Sequence, residues 1–320
     1  MKSIVHTRYG SADVLQIEEV EKPTPKSDAI LVKVHAASAN PLDWHGMRGE
    51  PFLARLGGGL TKPKDPRLGA DFAGQVEAVG SSVTKFHPGD EVFGVGTGSF
   101  AEYATANEDS SALKPTNRSF EESAAVPIAG ITALQGLRDK GQIKPGQKVL
   151  VNGASGGVGT FAVQIAKSFG TEVTGVCSTR NLEMVRSIGA DHVVDYTQED
   201  FTRNGQLYDL IFDAVGNRSV SDYKRALNPQ GICAIAGFSS LSRLFSHVVI
   251  GPLSSTLGSK KVGMMGLAKP NQKDLVFLKE LIEAGKVVPV IDRRYPLIEA
   301  AEAIRYLEQG HARGKVVITV

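Results

Sequence analysis

The sequence predicts a two-domain protein in which a mostly β region precedes an α/β region built on a doubly wound parallel sheet. The chain has 320 residues, more than one hydrophobic core usually organises. In the first part of the chain, short alternating apolar runs are separated by Pro, Gly and Asp turns, which is typical of β-strands. Further along, short apolar runs alternate with amphipathic stretches of helical period, which indicates βαβ units.

In the first region, the runs AILVKVHAAS (29–38) and GQVEAVG (74–80) have the alternation of half-buried strands. Turn signals lie in EKPTPKSD (21–28), FHPGDEV (86–92) and VGTGSF (95–100). We therefore expect this region to form short strands joined by tight turns.

The second region contains six strand-like runs, and amphipathic stretches follow the first, second and fourth of them. The runs are KVLVNG, EVTGVC, HVVDY, DLIFDAVG, GICAIAGF and KVGMMGL. This number of strands with intervening helices fits a doubly wound sheet. The tail then returns to strand, helix and strand. We expect residues 1–122, completed by residues 285–320, to form one domain and residues 123–284 to form the other.

Composition and charge exclude several partners. Lys and Arg number 36 and Asp and Glu 34, so the net charge of +2 gives no basic surface for a nucleic acid. No apolar run is long enough to cross a bilayer, and residues 1–10 lack a signal-peptide core. We therefore expect a cytoplasmic protein without a membrane partner. Cys177 and Cys233 lie in strand-like runs and support neither a disulfide framework nor a thiolate metal site.

A glycine-rich stretch, ASGGVG (154–159), joins the first of the six strands to the helix after it. A helix start leaves backbone N–H groups unpaired and carries the positive end of the dipole, so it favours an anion such as a pyrophosphate. Gly156 would let the anion approach the backbone and Gly159 would let helix and strand pack closely, while Ala154 replaces the first glycine of the dinucleotide fingerprint. The predicted dinucleotide-binding residues of this loop are Ala154, Ser155, Gly156, Gly157, Val158 and Gly159.

The end of the second strand selects between the two nicotinamide dinucleotides. An acidic residue there would bind the ribose hydroxyls of NADH and repel the 2′-phosphate of NADPH. The sequence instead has Ser178, Thr179 and Arg180, two hydroxyls and a guanidinium that attract phosphate. NADPH is therefore the predicted cofactor, and Tyr196 is a further candidate for phosphate contact. The alternatives are that Ser178 and Thr179 cap the next helix while Arg180 lies in solvent, and that Tyr196 packs in the core.

Four motifs together carry a family resemblance. They are ASANPLDW (37–44), LGADFAGQVEAVGSSVTKFHPGDEVFG (68–94), AAVPIAGITALQGL (124–137) and VLVNGASGGVGTFAVQIAK (149–167). Through them the chain resembles the zinc-independent quinone oxidoreductase branch of the medium-chain dehydrogenase/reductase superfamily, over nearly its whole length. The resemblance implies a GroES-like catalytic domain, a Rossmann domain and a cleft between them that holds NADPH.

The differences from zinc-using relatives predict that no metal is bound. Those enzymes place a Cys ligand where Asn40 stands and a His-Glu pair where Ala70 and Asp71 stand. A catalytic zinc requires three ligands from Cys, His or carboxylate, and these replacements do not supply them. The seven histidines are also scattered without metal-ligand spacing.

Without a metal, the most easily supported reaction is hydride transfer from the nicotinamide to a carbon activated by conjugation, as in a quinone or an α,β-unsaturated carbonyl. The protein would fix the nicotinamide, exclude water and donate a hydrogen bond to the oxygen on which charge develops. By the resemblance, Asn40 and Asp43 line the catalytic side and Thr132 contacts the nicotinamide ribose or phosphate. The alternatives are a turn stabilised by Asn40 and Asp43, and a Thr132 hydroxyl bonded within its own helix.

Residues after the fourth and fifth strands are further cofactor candidates, because open α/β sheets bind ligands at the carboxyl ends of their strands. We predict contacts from Val215, Gly237 and Phe238. The alternatives are that Asp213 caps the turn beside Val215 and that Phe238 belongs to the core. Near the end of the chain, Lys315 could reach a cofactor phosphate, unless it is a solvated charge.

The proton donor and the assembly are less well defined by the sequence. His45 is close to Asn40 in the chain and is a weakly supported proton donor, with solvent as the other source. The segment 239–258 mixes apolar residues with Ser and Gly and could cover the cleft, form a subunit contact or be core. The resemblance suggests a homodimer formed partly through VGMMGL (262–267). Two functions remain open: an NADPH-dependent reductase of a quinone or enone, and a catalytically silent NADPH-binding protein with a sensor or structural role.

Overall fold

The chain divides into two compact units. The computed structural model describes residues 1–52, 55–256 and 258–320. Unit 1 comprises residues 1–129, 270–283 and 289–320, and unit 2 comprises residues 130–269 and 284–288. Each unit has its own sheet, as the two patterns of the sequence predict.

The unit boundaries differ from the predicted domain boundaries. Residues 123–129 and 270–283, which the sequence pattern placed in the second domain, belong to unit 1, and residues 285–288 belong to unit 2. The amphipathic helix that ends at Glu283 is held to unit 1, because the Glu283 carboxylate accepts hydrogen bonds from the N–H of Thr116 at 2.9 Å and its hydroxyl at 3.0 Å. Periodicity predicts such a helix but not the unit against which it packs.

The strands and helices follow the chain in this order. The strands are β1 (Lys2–Val5), β2 (Gln16–Glu19), β3 (Ala29–Ala39), β4 (Asp71–Val79), β5 (Glu91–Val95), β6 (Tyr103–Asn107), β7 (Ser111–Leu113), β8 (Lys148–Asn152), β9 (Glu172–Cys177), β10 (His192–Asp195), β11 (Tyr208–Asp213), β12 (Leu227–Ile235), β13 (Lys261–Met264), β14 (Ile291–Pro296) and β15 (Lys315–Thr319). The helices are α1 (Pro41–Arg48), α2 (Arg55–Gly58), α3 (Phe120–Ala124), α4 (Pro127–Gln135), α5 (Gly157–Ser168), α6 (Leu182–Ser187), α7 (Val220–Ala226), α8 (Leu241–Phe245), α9 (Gly251–Thr256), α10 (Gln272–Glu283) and α11 (Ala300–Glu308).

Unit 2 is built on a parallel sheet of order β10-β9-β8-β11-β12-β13. This is the order of a doubly wound Rossmann sheet, in which the chain starts in the middle and reverses direction once. The central strands are almost fully buried because helices cover both faces, which explains their nearly continuous apolar sequences. The predicted fold class is confirmed for this unit.

Unit 1 contains a sheet of order β14-β15-β3-β4-β5-β7, and β6 also pairs with β3. The C-terminal strand β15 is antiparallel to β3, and Val316 lies opposite Ala39. The tail of the chain therefore supplies two strands of this sheet, β14 and β15. No helix among the described residues is both long and apolar enough to cross a membrane.

Both cysteines belong to the interior of unit 2. Cys177 and Cys233 are buried and free. Burial raises the pKa of the Cys177 thiol to about 11 and that of Cys233 well above its ordinary value. Neither thiol is therefore ionised at neutral pH, which agrees with the packing role that the sequence predicts.

Candidate functional site

The carboxyl ends of the central strands of unit 2 lie side by side. Asn152, the last residue of β8, is in register with Val176 of β9 and Asp213 of β11. The strand order reverses between β8 and β11, which is where open α/β sheets bind ligands. The loops at this edge contain most of the predicted cofactor residues: Ala154, Ser155, Gly156, Gly157, Val158, Gly159, Ser178, Thr179, Arg180, Tyr196, Val215, Gly237 and Phe238.

The glycine-rich loop has the geometry that a pyrophosphate requires. Gly156 precedes the first turn of α5, and no side chain caps that turn. A Cβ built on Gly156 would meet only the Gly153 carbonyl oxygen, at 3.5 Å, so space is open beside the unpaired N–H groups. At Gly159 a Cβ would lie 2.0 Å from the same oxygen, so this glycine lets the helix pack directly on the loop. The two glycines have the different roles that the fingerprint assigns them.

The segment after β9 differs in part from the prediction. The Thr179 hydroxyl donates to the Asp195 carboxylate at the end of β10, and this bond is the main cause of the lowered pKa of Asp195. Thr179 is therefore held by an anion, which makes it a poorer phosphate ligand than the sequence suggests. Ser178 is half-buried and Arg180 is exposed at the same edge. Tyr196 is 54% exposed rather than packed in the core.

The loop after β11 is organised by a buried carboxylate. One oxygen of Asp213 accepts from the N–H groups of Val215 and Gly216, both at 2.7 Å. The other accepts from the Asn152 amide at 2.9 Å and the Tyr223 hydroxyl at 2.6 Å. Asp213 thus caps the turn, as the alternative interpretation stated. Each of the two Asp213 carboxylate oxygens thus accepts two hydrogen bonds from groups of the protein.

The remaining predicted residues of this edge are partly exposed. Val215 and Phe238 are half-buried, and Gly237 packs its backbone closely, since a Cβ there would lie 2.2 Å from the Ala214 carbonyl oxygen. Phe238 is therefore not a fully buried core residue. Thr132 lies on α4 and is half-buried. Among the described residues, its hydroxyl has no partner in its own helix.

A second group of polar residues is buried in unit 1, where three strands meet. Ser38 of β3 pairs in register with Asp71 of β4, and Ala39 pairs with Val316 of β15, which places Lys315 beside Asn40. Asp43 follows one turn later in α1, whose first turn begins after Asn40. We call Ser38, Asn40, Asp43, Asp71 and Lys315 the unit 1 polar cluster. Every member is at most 5% exposed.

Hydrogen bonds connect this cluster around the Asp71 carboxylate. Its Oδ2 accepts from the Ser38 hydroxyl at 2.8 Å, the Asn40 amide at 2.9 Å and the Lys315 ammonium at 3.4 Å. Its Oδ1 accepts from the Ile128 N–H at 3.0 Å. The Lys315 ammonium also donates to Asn40 Oδ1 at 2.5 Å. A buried carboxylate and a buried ammonium are thus compensated by each other and by neutral polar groups.

Asp43 is a member of the cluster whose pKa lies near neutral pH. Its Oδ2 accepts the Asn40 backbone N–H at 2.7 Å, which stabilises the first turn of α1. Burial raises the pKa of Asp43 to about 7, and the Asp71 charge also raises it, while the Asn40 N–H and the Lys315 charge oppose the rise. Protonated Asp43 leaves the Asp71–Lys315 pair electrically neutral. Burial also lowers the pKa of Lys315, against the attraction of both carboxylates.

The structure corrects the prediction for Lys315. The sequence offered it as a phosphate-binding cation or a solvated charge, but its side chain is 3% exposed and its ammonium is bound to Asn40 and Asp71. The pairing of β15 with β3 buries the residue, and such long-range pairing is not visible in the local sequence. Lys315 is an internal counter-ion of unit 1.

Asn40 and Asp43 lie close together, as expected for two residues of one site. They also stabilise a turn, which is the role that the alternative interpretation gave them. Both stabilise the turn that begins α1, and both Asn40 amide hydrogens are used, one on Asp71 and one on the Ser38 carbonyl at 3.2 Å. His45 is close to them in sequence, yet its Nδ1 lies 2.9 Å from the Glu50 carbonyl oxygen and burial lowers its pKa. Its protonated form is therefore disfavoured, which weakens it as a proton donor.

Sequence reasoning missed three polar residues at the sheet edge of unit 2. Asn152 bonds Asp213, Asp195 accepts from Thr179, and Asn181 donates from its side-chain nitrogen to the hydroxyls of Ser155 and Ser178. Asn152 and Asp195 end strands, which is a signal that the strand pattern contained. No local signal identified Asn181, because its contacts join two separate loops.

The fold and the sheet edge define a class of protein. A Rossmann sheet with an uncapped, glycine-bounded helix start beside its switch point is typical of dinucleotide-dependent oxidoreductases. The family model of the alcohol dehydrogenase GroES-like domain matches residues 26–116, and that of the zinc-binding dehydrogenases matches residues 188–318.

Individual relatives give the same result over the whole chain. The chloroplast envelope quinone oxidoreductase homolog of Arabidopsis thaliana is 36% identical over 99% of this chain and 98% of its own. The chloroplastic NADPH-dependent alkenal/one oxidoreductase of the same plant is 35% identical over 99% of this chain and 79% of its own. The structure of Escherichia coli quinone oxidoreductase complexed with NADPH has a TM-score of 0.85 and 26% identity, and the match covers 100% of both chains. The chain belongs to the medium-chain dehydrogenase/reductase superfamily, in its quinone oxidoreductase-like branch.

Proposed function

We propose that the protein is an NADPH-dependent, zinc-independent oxidoreductase that delivers hydride to a quinone or to the C=C bond of an α,β-unsaturated carbonyl. The observation that carries the proposal is the start of α5, where unpaired N–H groups face open space at Gly156. The names of the relatives, quinone oxidoreductases and an alkenal/one oxidoreductase, support the substrate class.

The residues of unit 2 fit NADPH in chemistry. The N–H groups of Gly157, Val158 and Gly159 begin α5 and would hold the pyrophosphate, with the helix dipole adding to their attraction. Ser178 and Arg180 would bind the 2′-phosphate, and the half-buried Val215, Gly237 and Phe238 would line the cofactor at the neighbouring strand ends. Thr132 remains the predicted contact for the nicotinamide ribose or phosphate.

Zinc independence is supported by the cation that unit 1 already contains. Asn40 and Asp71 stand where zinc-using relatives place ligands, and here they bind the ammonium of Lys315. A neutral amide is a poor zinc ligand, and a divalent ion next to a buried ammonium would be repelled. Among the described residues, no group of three or more His, Cys, Asp or Glu is placed to hold a metal ion.

The chemistry divides between cofactor and protein. When bound, NADPH would supply the hydride, and an acceptor carbon that is already activated by conjugation would need no Lewis acid. The chain supplies a dry, rigid environment on the side of Asn40 and Asp43, which we assign as the catalytic residues. Burial raises the pKa of Asp43 to about 7, so below that pH its carboxyl keeps a proton and adds no negative charge that would oppose charge developing on the substrate oxygen.

We also propose a homodimer formed through unit 2. The segment from Leu241 to Thr256 exposes large apolar side chains, with Phe245 64% and Leu253 63% exposed, while His247 and Gly251 are buried beneath it. Such a patch on a soluble protein marks an interface. It lies beside β13, the edge strand of the sheet. Leu257, part of the predicted contact segment, is outside the described residues. Sedimentation should give twice the mass of one chain, and a monomer would contradict this proposal.

A cytoplasmic location stays a prediction from the sequence.

The proposed reaction is tested by following NADPH absorbance while the purified protein meets a panel of quinones, 2-alkenals and enones. We expect consumption of NADPH with at least one conjugated acceptor and none with a saturated ketone of similar size. Prior dialysis against a strong chelator should leave the rate unchanged. If no acceptor causes consumption while NADPH binds, the protein is a silent NADPH-binding protein instead. Loss of the rate after chelation would contradict zinc independence.

A further inference from the structure

We propose that Asn181 is a positioning residue for the cofactor: its side-chain amide fixes the hydroxyls of Ser155 and Ser178 so that both present their protons to the 2′-phosphate of NADPH. This inference rests on the proposed function. It assigns to Asn181 the selection of NADPH over NADH.

Asn181 occupies the turn between β9 and α6 and is 4% exposed. Its backbone N–H donates to the Ser178 carbonyl oxygen at 2.9 Å, which fixes the turn. An asparagine directly before a helix usually caps that helix with its side chain. Here the side chain makes no such bond to α6 and is directed to two loops instead.

The side-chain nitrogen of Asn181 joins those loops. It donates to the Ser155 hydroxyl at 3.1 Å and to the Ser178 hydroxyl at 3.2 Å. Ser155 belongs to the glycine-rich loop after β8, and Ser178 follows β9. One amide group therefore holds two hydroxyls from neighbouring strand ends around the same point.

The direction of these bonds determines what the hydroxyls can do. An amide NH₂ group only donates, so each serine oxygen accepts and its own proton stays available. Within the described part of the chain, neither hydroxyl donates to another residue. Both serines are half-buried and so can be reached by a ligand. Asn181 thus converts two hydroxyls, each able to donate or accept, into a pair of donors.

The other end of the amide supports this orientation. Asn181 Oδ1 is buried and has no hydrogen-bond partner. Turning the amide over would satisfy this oxygen with the serine protons but would bury two N–H donors without acceptors. The unpaired oxygen is the consequence of committing both N–H groups to the serines. An unsatisfied buried group in a folded protein calls for a functional explanation, and donor orientation provides one.

A phosphate is the ligand that fits two oriented hydroxyl donors. Its ionised oxygens only accept, and charge-assisted bonds from hydroxyls are short and strong. Arg180, next in the chain to these groups, is exposed and adds a positive charge. The corresponding ribose hydroxyl of NADH can both donate and accept, so it does not depend on the direction of the serine protons. Loss of Asn181 should therefore weaken NADPH much more than NADH.

The test is calorimetric titration of the full-length protein with NADPH and with NADH. For Asn181→Ala we expect NADPH to bind about tenfold more weakly, as for one charge-assisted hydrogen bond, and NADH to change by less than about twofold. For Asn181→Asp the loss should be on the order of a hundredfold, because the carboxylate accepts the serine protons and repels the phosphate. Asn228→Ala, which removes an amide bonded to Asp209 elsewhere in unit 2, should change neither affinity.

A purely structural role for Asn181 gives a different result. Equal losses of NADPH and NADH affinity, or no loss of either, would overturn the inference. If Asn181 acts through the hydroxyls, adding Asn181→Ala to the double variant Ser155→Ala with Ser178→Ala should cause no further loss of NADPH affinity. An additional loss in that background would also overturn it. Failure of the unmodified protein to bind NADPH or NADH would instead reject the proposed function.

Discussion

At the scale of single residues, each buried charge of unit 1 is stabilised by the groups next to it. Asp71 and Lys315 are fully enclosed, and each makes the other tolerable, because an unpaired charge at either position would remain desolvated. Asp43 lies beside both of them and carries the proton whose loss would leave an uncompensated negative charge. The cluster is therefore a buried group whose charge depends on pH.

Stability should follow the titration of Asp43. Its pKa in the folded protein, about 7, lies above the ordinary value of 3.8. The folded state therefore keeps this proton longer than the unfolded state does. The stability that this group contributes is complete below the ordinary pKa and is lost as the pH rises through the folded pKa. Relative to Asp43→Asn, which imitates the protonated form, the free energy of unfolding should decline between these two pH values, by at most about 1.4 kcal/mol per pH unit.

Urea unfolding of both proteins at several pH values measures this difference. Asp71 and Lys315, the two charged groups that act on Asp43, are present in both proteins, so the comparison isolates the contribution of Asp43. Parallel pH profiles for the two proteins would mean that Asp43 has the same pKa in the folded and the unfolded protein and that the assigned rise is absent.

At the scale of elements, the turn between β8 and α5 separates two functions of glycine. Gly159 is required by packing, since a Cβ would lie 2.0 Å from the Gly153 carbonyl oxygen, whereas Gly156 has space for one. The same loop therefore contains one glycine that serves the fold and one that serves the ligand. Substitution to alanine distinguishes them.

We expect Gly156→Ala to fold with a stability within about 1 kcal/mol of the unmodified protein, because its backbone conformation suits alanine. Its methyl group would occupy the space proposed for the pyrophosphate, so NADPH affinity should fall at least tenfold, on the order of 1.4 kcal/mol. Gly159→Ala should lose more than about 2 kcal/mol of stability, since helix and loop must separate. Thermal unfolding and NADPH titration of the two variants measure both quantities.

Gly156 would have no role in binding the pyrophosphate if Gly156→Ala bound NADPH as tightly as the unmodified protein. The packing role of Gly159 would be contradicted if Gly159→Ala unfolded at the same temperature. Gly258→Ala, at a glycine whose Cβ would meet nothing within 4 Å, is a control for the effect of the substitution itself.

The elements themselves could be predicted from the sequence because their signals are local. The six strands of unit 2 and the start of α5 at Gly157 follow from apolar periodicity and glycine placement. The contacts of Lys315 with Asn40 and of Asn181 with Ser155 could not be predicted, since each joins separate strands or loops that come together only in the folded sheet. The same holds for α10, whose helical period was clear but whose partner was not.

At the scale of the whole molecule, the chain combines two units with separate chemical tasks. Unit 2 contains a Rossmann sheet with the predicted cofactor residues in the loops at one edge, and unit 1 contains a buried polar cluster around Asp71 and Lys315. The chain matches its quinone oxidoreductase homolog over 99% of its length, so both units belong to the family architecture. The family membership shows an oxidoreductase, and hydride transfer from NADPH without zinc is our proposal.

The most direct test is to supply NADPH deuterated at nicotinamide C4 to the chelator-treated protein together with a conjugated enone, and to analyse the product by mass spectrometry and NMR. We predict one deuterium at the β-carbon when the label is in the transferred position, with one NADPH oxidised for each product formed. A product without label from both the 4R-deuterated and the 4S-deuterated cofactor would contradict direct hydride transfer by this protein.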